Sequence, residues 1–123
     1  MKKLYNTKNS IPDDMIDGFV NAYPDIVKKG NNSRVVLRTH KKDKNKVSLL
    51  IGNGSGHEPI AMGFVGEGIL DANVVGDVFA APSSDLILEG IKETYNDAGS
   101  ILLISRHEGD VINGKAACVD AND

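Results

Sequence analysis

A short apolar run, Lys46–Ile51, empties into Gly52-Asn53-Gly54-Ser55-Gly56, three glycines at alternate positions. A chain with that order carries a strand that ends where backbone must approach something closely, because glycine has no Cβ to block the way. Strand and helix signals alternate around it. Ser10-Ile11-Pro12-Asp13-Asp14 holds a capping oxygen, an early proline and first-turn acids, and Met15, Ile16, Phe19 and Val20 follow at helical spacing. That predicts a helix over about 11–22, closed by Tyr23-Pro24. Arg34–Arg38 and Asn73–Gly76 read as short strands, and Ser100–Ser105 as the strongest strand in the chain. Pro82-Ser83-Ser84-Asp85 opens a helix whose Leu86, Ile87, Ile91 and Tyr95 mark one face, ending near Asp97–Gly99. Ile60–Val65 reads as a helical turn, Arg106–Asp110 as a loop, and Val111–Val119 as the start of a last helix. Strands alternating with helices imply an α/β fold, a mostly parallel sheet with helices on both faces.

At 123 residues with 41% apolar and 25% charged residues, the chain has the make-up of one small globular unit. A net charge of -3 opposes binding to a nucleic-acid backbone, which calls for a basic excess. The lysine-rich stretch His40–Lys46 reads as a solvated turn rather than an anion site. No apolar run is long enough to span a membrane, and the basic start lacks the apolar stretch of a secretory signal. A cytoplasmic location is therefore expected. The single Cys118 can form neither an internal disulfide nor a zinc cluster.

In open parallel sheets ligands sit at the carboxyl ends of strands, which selects two segments: Gly52–Pro59 and Arg106–Asp110. A dinucleotide fingerprint would need glycine at His57 or Pro59. A Walker loop would need Gly-Lys-Ser/Thr after the glycines, and a serine-hydrolase elbow would need glycine at Asn53. A His-Glu-x-x-His zinc helix would need histidine at Ala61. What remains is a Gly-Ser-Gly loop with His57 at its exit, a group that gives and takes protons near neutral pH, or that simply bonds backbone in a tight turn. Asp110 either serves as a second acid/base group or caps the helix ahead of Val111, and the two roles are compatible. Small polar groups beside backbone amides, with no aromatic platform, suit a small polyhydroxylated molecule better than a nucleotide.

The runs Leu49–Pro59, Gly63–Gly66, Gly76–Ser83 and Gly109–Asn113, with Met1–Leu4 and Asp17–Val20 before them, resemble the substrate-binding subunit of dihydroxyacetone kinases over essentially the whole chain. The resemblance implies that Gly54, Ser55, Gly56 and His57 form a substrate loop, with His57 as acid/base. It implies that Asp110 is a catalytic aspartate that helps deprotonate the hydroxyl receiving phosphate. Family chains are more than twice this long and bind the ketose carbonyl through a further histidine that has no match here. Residues 1–123 are therefore expected to be an amino-terminal part of the first domain of such a subunit, inactive alone. The implied function is to bind dihydroxyacetone, or a related short ketose such as erythrulose, for phosphorylation within a homodimer. The alternative is a non-catalytic ketose-binding paralogue that co-activates a transcription regulator. No cofactor or metal is expected on this chain. Phosphate is expected from an ADP/ATP site with Mg²⁺ on a nucleotide-binding kinase subunit or domain, recharged in some members by the sugar phosphotransferase system. Two positions depart from the family pattern. Ser105-Arg106-His107-Glu108 stands where Lys-Asn-Tyr-Thr is common, so Arg106 or His107 must replace the lysine's contribution, and Asn53 stands in place of a glycine. His107 by itself reads as a hydrogen-bonding loop residue.

Overall fold

The computed structural model describes residues 1–123 and builds five strands and three helices. In chain order these are α1 (Ile11–Ala22), β1 (Val27–Lys29), β2 (Val35–Arg38), β3 (Ser48–Ser55), a 3-10 turn at Met62–Phe64, β4 (Ala72–Val78), α2 (Ser84–Thr94), β5 (Ser100–Ile104) and α3 (Glu108–Asn122). The sheet runs β1-β2-β4-β3-β5. Its core of β4, β3 and β5 is parallel, and β2 and β1 extend it antiparallel at one margin.

Alternation along the central strands sorts the side chains onto two faces. Val36 and Val75, with Leu49 and Ile51 beside them, meet Ile16 of α1 and Met62 of the 3-10 turn. Val35, Leu50 and Val74 point the other way, against Ile87 and Ile91 of α2 and Ala117 of α3. Both faces are thus covered by helix. The β3–β4 connection lies on the first face and the β4–α2–β5 connection on the second. The segments leaving the neighbouring strands β3 and β5 pass to opposite faces of the sheet, and that switch opens a crevice at the strands' carboxyl ends.

Helix α1 spans the expected residues, although Ser10 does not cap it: its hydroxyl donates to Asp14 Oδ2 (2.8 Å). Ser83 does cap α2, its Oγ accepting from the Leu86 N–H at 3.2 Å, a bond of the kind worth ~1 kcal/mol. That helix stops at Thr94, and Tyr95 points to solvent instead of closing the apolar face.

Two local expectations change. Strand β3 does not end at Ile51 but runs through Gly52-Asn53-Gly54 to Ser55, so most of the expected glycine loop is extended strand paired to β4. Helix α3 begins at Glu108 with His107 as its N-cap residue, which places Asp110 inside the first turn rather than at the cap. Strand β5 forms where it is expected, at the edge of the sheet, with Ile101, Leu103 and Ile104 exposed.

Candidate functional site

Because β3, β4 and β5 are parallel, their carboxyl ends lie at one edge of the sheet, and the segments leaving them meet there. Ser55 hands over to Gly56-His57, Val78 to Phe79-Ala80-Ala81, and Ile104 to the turn that starts α3. Together they enclose a cleft of about 280 Å³ lined by Gly54, His57, Phe79, Ala80, Ala81, His107, Gly109 and Asp110. Residues 53 positions apart in the chain, His57 and Asp110, come together because β5 pairs with β3.

The glycines explain how the backbone closes up. A Cβ at Gly54 would stand 2.7 Å from the Ala80 carbonyl oxygen, so only glycine lets the Phe79–Ala81 turn lie against β3. Asn53 is buried and accepts a bond from Asn73 Nδ2 at 2.7 Å, while its own amide nitrogen reaches the Ile60 carbonyl at 3.3 Å. This side chain ties the segment after the loop to two strands, a task a glycine there could not do.

Among the expected site residues, Gly54, His57 and Asp110 share the cleft. Ser55 is buried and donates to the Gly76 carbonyl at 2.6 Å, so its hydroxyl braces β3 against β4 and is not part of the lining. Gly56, at φ 106°, makes the turn, and its N–H already donates to Glu58 Oε2 at 2.9 Å. Arg106 does not line the cleft. His107 does, and it bonds to no loop group: its ring stacks on that of His57, with centroids 5.8 Å apart and planes 14° from parallel. Phe79 meets the other imidazole edge-on at 5.4 Å. The sequence reading missed Phe79, Ala80 and Ala81. Their signal is present in Gly76, whose lack of a Cβ is what admits the Ala80 carbonyl, but it is interpretable only once β3 and β4 are paired.

Asp110 carries the sharpest chemistry. It is 4% exposed, and its Oδ1 is buried without a hydrogen-bond partner. Burial disfavours the charged form and pushes the carboxyl above its ordinary value, while nearby His107 and His57 pull it partly back. A carboxylate so placed accepts a proton more readily than a solvated one, and Asp110 lines the cleft in which a hydroxyl can offer one.

The Dak1 domain model matches residues 17–123. The chain belongs to the Dak1 family. Its relatives include the dihydroxyacetone-binding subunit DhaK of the PTS-dependent dihydroxyacetone kinase 1 from Listeria innocua, 42% identical over 125 residues. That match takes in all of this Dak1 chain and 38% of the relative, so the chain spans well under half of that protein's length. Among solved structures, the dihydroxyacetone kinase of C. freundii in complex with AMP-PNP and Mg²⁺ superposes with a TM-score of 0.90 at 34% identity, over 98% of this chain and 23% of that one. The DhaKLM operon coactivator DhaQ of Lactococcus lactis is also related, 34% identical over 109 residues that cover 89% of this chain and 33% of DhaQ. The Dak1 fold therefore holds both kinase subunits and a coactivator.

Proposed function

We propose that residues 1–123 form the amino-terminal part of the first domain of a dihydroxyacetone-kinase substrate subunit, which holds dihydroxyacetone or a similar short ketose and readies its hydroxyl for phosphorylation. The observation that carries this reading is that Asp110, a buried carboxyl whose Oδ1 has no hydrogen-bond partner, lines the same cleft as His57. Asp110 would draw the proton from the reacting hydroxyl as its oxygen attacks phosphorus. His57 would hold a neighbouring ketose oxygen and exchange a proton with it. Gly54 lets the Phe79–Ala81 turn close against β3 and so form one wall of the cleft.

The phosphoryl group would come from a nucleotide with Mg²⁺ on a partner subunit or fused domain, because no phosphate-cradling loop occurs in this sequence. In such an arrangement most of the rate gain comes from positioning, with the cleft fixing one partner of the transfer. A homodimer in the cytoplasm is part of the same reading. No helix here is long and apolar enough to cross a membrane.

The DhaQ relationship and the altered Ser105–Glu108 segment favour one rival, a ketose sensor that no longer phosphorylates. One assay separates the two. The full reading frame carrying these residues is mixed with dihydroxyacetone and the phosphorylated nucleotide-binding partner, and triose phosphate is followed through a coupled reductase. Product establishes the kinase. Ketose binding by titration without product establishes the sensor, and the absence of both product and binding would mean that the ligand is wrong.

A further inference from the structure

His57 is assigned proton transfer above, yet no protein hydrogen bond restrains its imidazole. Histidines with that role are usually oriented by a bond from the second ring nitrogen to a carboxylate or carbonyl. Here the neighbours are rings. Phe79 lies edge-on with centroids 5.4 Å apart, and His107 lies on a face at 5.8 Å. Both geometries are ones that the aromatic quadrupole favours.

Phe79 is itself held in place. Its φ of 54° puts a residue with a Cβ into the left-handed region, a conformation that persists only where the surroundings enforce it. Its N–H donates to the Ser55 carbonyl at 2.8 Å, and the next residue is wedged against Gly54 and Gly76. The ring then lies over Gly56, where an added Cβ would come 2.5 Å from Phe79 Cε1. At 73% exposure this ring contributes little to the core, so packing does not explain the strain that places it.

We propose that Phe79 and His107 are positioning residues that hold the His57 imidazole between two rings, in the orientation that faces the hydroxyl beside Asp110. The clamp deepens the kinase reading and rests on His57 acting in it. Strained backbone at Phe79 sets one jaw, and the start of α3 sets the other.

The test reads ring position apart from activity. In protein labelled with ¹³C-histidine, the His57 Cε1–H and Cδ2–H resonances, assigned by their loss in His57→Ala, sit displaced from free-imidazole values by ring currents. Phe79→Leu and His107→Ala each move them toward those values, whereas His107→Phe restores the ring and keeps the displacement. All three residues are exposed, so the core is untouched. In the full reading frame, Phe79→Leu and His107→Ala lower kcat about tenfold with a smaller change in KM, and His107→Phe recovers most of the loss. Resonances that ignore Phe79→Leu and His107→Ala overturn the clamp, as does kcat that stays level while the resonances move. Resonances that respond as expected in a protein with no turnover at all would keep the clamp and remove the kinase reading.

Discussion

Two aspartates are equally buried at opposite ends of the same parallel strands, each 4% exposed, and they have been treated differently by the fold. Asp71, just ahead of β4, is fully engaged: Arg38 Nη1 donates at 3.2 Å, Lys42 Nζ at 2.7 Å and the Leu49 N–H at 2.7 Å. Asp110, beyond the carboxyl end of β5, keeps Oδ1 without a partner. A buried carboxylate with cations and an amide around it ties strands together with both of its oxygens already bonded. One that keeps an unpartnered oxygen beside a cleft costs stability and has acceptor capacity left for a ligand. The difference distinguishes a structural pole from a reactive one without reference to any relative.

The largest expected effect is at the structural pole. Asp71→Ala strands Arg38 and Lys42 and orphans the Leu49 N–H, and should lower unfolding free energy by about 3 kcal/mol or more, read from urea denaturation. Asp110→Asn should do the reverse on that axis. Unfolding free energy at neutral pH should hold or rise, because a buried charge is removed, while triose-phosphate formation by the full reading frame falls by about 10²–10⁴-fold. Loss of stability with Asp110→Asn comparable to that of Asp71→Ala would erase the contrast between the two poles.

A smaller effect sharpens it. The folded-state carboxyl of Asp110 lies above its ordinary value of 3.8, so the fold favours the protonated form. Its contribution to stability is complete below that ordinary value and is lost as pH rises through the raised one. Denaturation midpoints of Asp110→Asn and the parent should therefore coincide at low pH and separate above it, with the variant the more stable. The smallest effect concerns the neighbouring ring. His107→Phe removes the charge that most lowers the Asp110 carboxyl, so its titration, followed by carboxyl ¹³C NMR, should move to higher pH.

Local chemistry was legible where local chemistry decides. Pro12 with Asp13 and Asp14 starts α1, Ser83 caps α2, and spacing of four residues puts Ile87 and Ile91 on the buried face. The three-residue β1 was not legible, because Val27-Lys28-Lys29 has one buried residue and is a strand only through its pairing with β2. Gly52–Ser55 was misjudged for a related reason. Glycine propensity argues for a loop, but pairing with β4 and the close approach of Ala80 keep this segment extended. Ser55 then turns its hydroxyl to the Gly76 carbonyl, which no count of motif positions could foresee.

Residue order by itself determined the strand–helix alternation, the family motifs and the presence of His57 and Asp110 after two different strands, because these depend on neighbours within a few positions. Only tertiary structure decided that His57 lies against Phe79 and His107, that Asn53 bonds Asn73, and that one buried aspartate is paired and the other free. Those outcomes follow from parallel pairing of β3 with β4 and β5, which brings distant segments to one edge of the sheet and leaves each polar group whatever partners happen to arrive there.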